Sequence, residues 1–179
     1  MNIPTIISLK KHCAVVLTQT LLSSFPNEGC ALLLGNIEPV KNGTDYCCWQ
    51  IRLIWPCCNI WEPGIYNLNK LKEDLYPKHS KEKPTKKNRF AIDPREQFQA
   101  QRWARHRSMK ILGSAHSHPS SEAIPSLTDL AWVTNDQLML IVDRFGEIRA
   151  WWMTEKQTFK SIEVDINISS PSIENNSLS

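Results

Sequence analysis

No uninterrupted apolar run of about eighteen residues occurs in the 179-residue chain, so no segment reads as a membrane-spanning helix. A secretion signal is missing too. Ile3, Ile6, Ile7 and Leu9 are cut short by Lys10, Lys11 and His12, and no charged segment precedes them. The reading is a cytoplasmic protein. C-x-x-C pairs are absent, although there are six cysteines: Cys13, Cys30, Cys47, Cys48, Cys57 and Cys58. The adjacent pairs Cys47-Cys48 and Cys57-Cys58 would point to opposite strand faces, which does not suit a zinc knuckle. With 41% apolar residues the chain can fill one core without staples. The cysteines therefore read as reduced, buried, small hydrophobes. Charge of one sign hardly dominates, at a net +3. The basic excess gathers in 67–89, where Lys78, Lys81, Lys83, Lys86, Lys87 and Arg89 stand among Pro77 and Pro84. No aromatic side chain interleaves those lysines, so the stacking platform of a single-strand binder is missing and nucleic acid is not an expected partner. The stretch reads as an exposed loop; the functional alternative is an acidic patch on a protein substrate.

What is present reads as alternating helices and strands. Residues 9–24 carry Leu9, Cys13, Val16, Leu17, Thr20, Leu21 and Ser24 at the spacing of one buried helical face, and Pro26 ends it. Residues 30–35 and 47–56 read as strands, with Asn42-Gly43 as a turn signal between them. A short apolar piece follows, from Cys57 to Trp61. Arg89 to Ile92 looks like a strand entering Asp93-Pro94, an N-cap followed by proline at the first helical position. That helix would run to about Ser108 with Phe98, Trp103 and Ala104 inward. Residues 110–115 form a strand, 126–135 a short helix, and 138–142 a strand covered on both faces. Residues 147–154 and 158–166 make a closing pair. The tail 167–179, rich in Ser and Asn, reads as disordered. The sum is one α/β domain over 1–166, a mixed β-sheet flanked by helices in three layers.

The stretch 113–129 is the most informative. His116 and His118 fall on one face of a strand, because side chains alternate. Asp129 follows after ten residues. Two imidazoles and a carboxylate make a three-ligand metal site whose fourth position is open, the arrangement of a catalytic zinc. A plainer account competes: Ser126 to Asp129 also matches a helix start, with Ser126 as N-cap and Asp129 at its third position. The two become compatible if the helix N-terminus keeps Asp129 ionised, as a divalent metal needs. Two nitrogens and one oxygen suit zinc better than magnesium or calcium. A water-activating site also needs a base. Glu28, Glu62 and Glu122 are the candidates.

His116-Ser117-His118-Pro119, five residues, Pro125-Ser126, two residues, then Asp129 resembles the JAMM motif of the MPN+ metallopeptidase family. Pro26 to Gly35, PNEGCALLLG, resembles the segment carrying that family's catalytic glutamate. The resemblance is specific over 26–35 and 110–145, and the simple pattern looks like the bacterial stand-alone members.

The resemblance implies a cytidine-deaminase-like fold and zinc held by His116, His118 and Asp129. It implies Glu28 as general base and then acid, and Ser126 as a donor to the tetrahedral oxyanion. It also implies hydrolysis of a peptide or isopeptide bond at the C-terminus of a ubiquitin-like or sulfur-carrier protein. The alternative is a non-catalytic MPN scaffold, but such domains usually lack one or more ligands, and all five positions are present here. Ala31 stands where the family often has glycine. The basic stretch 67–89 lies where the family varies and where substrate-contacting insertions occur; its composition is this chain's own and implies no function, and the residues that would bind substrate are not legible.

Overall fold

The Leu-rich segment after Glu28 forms a buried strand that pairs antiparallel with a neighbour on each side. The computed structural model describes residues 3–38, 47–63 and 83–167. In chain order the elements are β1 (Ile6–Lys10), α1 (Lys11–Leu22), β2 (Cys30–Ile37), β3 (Cys48–Cys57) and α2 (Pro94–Arg105), followed by β4 (Lys110–His118), α3 (Leu127–Trp132), β5 (Gln137–Asp143), β6 (Ile148–Met153) and β7 (Phe159–Asn167).

The sheet is mixed, as expected, but it is not an open middle layer. Its order is β1-β3-β2-β4-β5-β6-β7, and β1 pairs in parallel with both β3 and β7, which closes the barrel. The three-layer expectation is corrected by β1, which sequence reasoning did not find. Leu9 fits the helical spacing of the residues after it, yet it belongs to a five-residue strand, and the helix begins only at Lys11.

One core fills the barrel. Leu17 and Leu21 of α1 meet Leu33, Ala115, Leu140 and Trp152 there, and Trp49 touches Trp152 edge to face at 5.6 Å. Ala31 lies in this core, so its methyl is accommodated. Helices α2 and α3 pack on the outer face. Ala100 and Ala104 of α2 lie against Leu32 and Leu34. Near α3, Val133 and Ala123 lie against Met139, Ile141 and Trp151. Asp93 caps α2 by accepting the Arg95 N–H, with Pro94 behind it. The expected inward Phe98 is corrected. It is 66% exposed, because the small faces of Ala100 and Ala104 are what let α2 approach the sheet. The expected strand at 89–92 reduces to a single bridge between Asn59 and Ile92.

Cys13, Cys30, Cys47 and Cys48 are buried and free, Cys57 is half-buried, and Cys58 is exposed. Among the described residues no helix is long and apolar enough to cross a membrane. The expectations for 67–82 and for the tail beyond 167 lie outside the described residues.

Candidate active site

The two halves of the site meet where β2 and β4 run antiparallel. Cys30 is registered with His116, so continuing two residues outward brings Glu28 beside His118. Ser117 locks this junction. Its N–H donates to the Gly29 carbonyl at 3.0 Å, and its hydroxyl accepts from the Gly29 N–H at 2.9 Å while donating to the Leu21 carbonyl at 3.3 Å. A Cβ on Gly29 would stand 2.3 Å from the Leu21 oxygen, so only glycine allows the strand start to approach α1 this closely.

His116 and His118 project from the outer face of β4 and are buried. Their Nε2 atoms lie 3.0 Å apart. Asp129 closes the group, with Oδ1 at 3.3 Å from His116 Nε2 and Oδ2 at 3.5 Å from His118 Nε2. The three ligand atoms all fall within 4.8 Å of one another.

Each side chain is aimed by its surroundings. His118 Nδ1 lies 2.8 Å from the Glu122 carbonyl, which fixes that nitrogen as the donor and leaves the Nε2 lone pair inward. Among the described residues His116 Nδ1 is buried without a hydrogen-bond partner; its ring plane is instead set by Phe90, stacked at 4.5 Å. Asp129 is held by a capping box. The Ser126 N–H and hydroxyl donate to Oδ2 at 2.6 and 2.7 Å, and the Asp129 N–H donates back to the Ser126 hydroxyl at 3.2 Å. The helix-cap and metal-site readings of 126–129 are thus one structure. The loop between His118 and Asp129 is pinned by Ala123, whose carbonyl accepts the Trp151 indole N–H at 2.9 Å.

The electrostatics follow from burial. Desolvation pushes His116 down to about 4, so the ring is neutral at pH 7. Burial alone would raise Asp129, but the two imidazoles and the Ser126 donor outweigh it and hold the carboxylate below its usual range. Burial pushes Glu28 up to about 8; the Asp129 carboxylate adds to this, and His118 and Arg89 pull it back. Burial would lower His118, but Asp129, the Glu122 carbonyl and Glu28 outweigh it and raise the ring above its ordinary value. Two imidazole Nε2 atoms and an anion thus converge with a buried carboxylic acid alongside. This donor set fits a divalent cation of zinc's character, whose charge would also favour the ionised form of Glu28.

The same shift gives a prediction for the metal-free protein. Folded Glu28 keeps its proton to about pH 8, whereas the unfolded chain releases it near 4.5. Stability from this group is therefore complete below pH 4.5 and is lost as pH rises through 8. Chelator-treated Glu28→Gln is expected to exceed the wild type in stability at pH 8 by a few kcal/mol, and to match it at pH 4. Urea midpoints at the two pH values check this; an equal gap at both would contradict it.

Of the three candidate bases, only Glu28 enters the site. Glu62 is exposed, and Glu122 is exposed and contributes its backbone carbonyl instead. The segment 83–89 is not simply a solvated loop. Lys83 and Lys87 are exposed, but the Lys86 carbonyl accepts the Glu28 N–H at 2.8 Å. A cleft of about 320 Å³ begins at Glu28 and Asp129 and runs over Leu32, Ile111 and Met139, with Phe90 and Trp132 among its walls.

A family model described as prokaryotic homologs of the JAB domain matches residues 10–154. The chain belongs to that family. This JAB domain is 32% identical over 76 residues to a protein named desampylase from Pyrococcus furiosus. The match takes in 42% of this chain and 54% of the relative, so it spans about half the relative's length. Two solution structures share the fold. One, from Desulfitobacterium hafniense, has a TM-score of 0.66 at 21% identity, covering 92% of this chain and 95% of that one. The other, from Salinibacter ruber, has a TM-score of 0.55 at 22% identity, covering 92% and 93%.

Sequence reasoning missed four contributors to the JAB site: Asn59, Phe90, Ser117 and the Glu122 carbonyl. Ser117 lies inside the histidine motif and is the one a local signal could have found, since the residue between two same-face ligands must point the other way.

Proposed function

We propose that this JAB domain is a zinc-dependent hydrolase. Its bond is a peptide or isopeptide bond at the C-terminus of a ubiquitin-like or sulfur-carrier protein. One observation carries the reading: His116, His118 and Asp129 converge within bonding reach of one ion, and Glu28 is buried beside them. The likeness to a desampylase supports a small protein modifier as the substrate.

His116 Nε2, His118 Nε2 and a carboxylate oxygen of Asp129 would hold the metal. Zinc held by three protein ligands supplies water acidified to near neutral pH and a Lewis acid for the scissile carbonyl. The rest is done by the chain. Glu28 takes a proton at its carboxylate and then delivers it to the leaving amine. Ser126 donates to the developing oxyanion once its hydroxyl proton turns from Asp129 to the substrate. The cleft beyond Glu28 would receive the chain on one side of the bond. The alternative is a non-catalytic MPN scaffold, and the full set of His116, His118, Asp129, Ser126 and Glu28 favours catalysis over it.

Incubation with ubiquitin-like and sulfur-carrier fusions, with and without chelator, tests the proposal by intact mass. The expected result is a product ending at the carrier's C-terminal residue, abolished by chelator and restored by zinc. Intact fusions throughout, with metal bound, would leave the scaffold reading in its place.

A further inference from the structure

Glu28 lies just outside β2, so its backbone groups have no ladder partner on that strand's far side. Its N–H donates to the Lys86 carbonyl, and its carbonyl accepts from Asn59 Nδ2 at 2.9 Å. Asn59 does more than this. The same Nδ2 donates to the Arg89 carbonyl at 2.9 Å, while Oδ1 accepts from the N–H groups of Trp61 at 3.0 Å and Ala91 at 3.2 Å. The amide thus uses both donors and both lone pairs. Two backbone links back it up: the Asn59–Ile92 bridge and the Ile60 N–H to the Ala91 carbonyl at 3.0 Å.

The four bonds join the base to a ligand's support. Arg89 and Ala91 flank Phe90, the ring stacked on His116. Asn59 itself touches no metal ligand. We infer that Asn59 is a positioning residue, one amide that sets both the pose of Glu28 and the seat of Phe90 on His116. This rests on the hydrolase reading above.

Asn59→Asp tests it, since aspartate keeps both acceptors and loses both donors. A misplacement of about 1 Å costs on the order of a hundredfold in rate. With a fusion that the wild type cleaves, Asn59→Asp is expected to lower kcat about 10- to 100-fold. KM should change little and zinc per chain should be unchanged. Asn59→Gln, with the same amide, should recover part of the rate. A kcat near the wild type's, or a loss that follows zinc content or KM instead, would overturn the inference.

A second readout needs no turnover. Amide hydrogen exchange at Glu28, whose carbonyl loses its Asn59 donor, is expected to quicken about tenfold or more in Asn59→Asp, while Ala91, whose Oδ1 acceptor is kept, and Leu33 and Leu140 in the barrel stay unchanged. Unchanged exchange at Glu28 would overturn the inference even if no fusion is cleaved, an outcome that would separately remove the hydrolase reading. If Asn59→Asp does not fold, Asn59→Gln is read in the same two ways: slowed kcat with normal zinc and quickened exchange at Glu28 support the clamp, and wild-type values in both overturn it.

Discussion

Glu28→Gln is expected to keep its metal and lose turnover by roughly a hundred- to ten-thousand-fold, the contribution of a positioned acid–base group. The change is nearly isosteric, so the backbone bonds of Glu28 to Lys86 and Asn59 survive it. What disappears is a carboxylate able to take and return a proton. The loss should fall mainly on kcat, because the side chain acts on the reacting water and leaving amine and not on the substrate's tail. Steady-state kinetics beside a zinc assay separate the two. An active Gln variant would move the base elsewhere, and among the described residues the other two sequence candidates, Glu62 and Glu122, are exposed.

Removing a ligand acts differently. His116→Ala and Asp129→Ala are expected to lose zinc, about one per chain in the wild type, and all measurable activity with it. The two should differ in their effect on the fold. Asp129 anchors the start of α3 through the Ser126 capping box, so its removal also costs about 1 kcal/mol as a lost cap. His116 is fully buried under Phe90, and its truncation leaves a cavity beside an aromatic ring. Metal analysis and thermal melting of both variants check this; full zinc in both would sink the site.

The local parts of this architecture were readable in the sequence. The α2 cap at Asp93-Pro94, the apolar β5 and the alternation that puts His116 and His118 on one face all follow from neighbours within a few residues. Asp129 could be placed because the capping box is a four-residue pattern. Glu28 came from resemblance, since nothing local distinguishes a carboxylate at a strand end that meets a metal site from one that meets solvent. The rest depends on long-range pairing. β1 is short and joins partners about 42 and 157 residues away, so its pairing has no local trace. Asn59 and Phe90 act through bonds and stacking across separations of about 26 to 32 residues. Phe98 departs from the expectation because size and apolarity alone do not choose the inward face of α2; Ala100 and Ala104 hold it, and Phe98 points to solvent.

The account stands on one ion held by three named side chains beside Glu28. Diffraction from the zinc-loaded full chain, with anomalous data collected at the zinc edge, tests that directly. The prediction is a single peak bonded by Nε2 of His116, Nε2 of His118 and a carboxylate oxygen of Asp129, with the Glu28 carboxylate facing its remaining side. A peak among Cys30, Cys57 and Cys58, or none between the histidines, would contradict it.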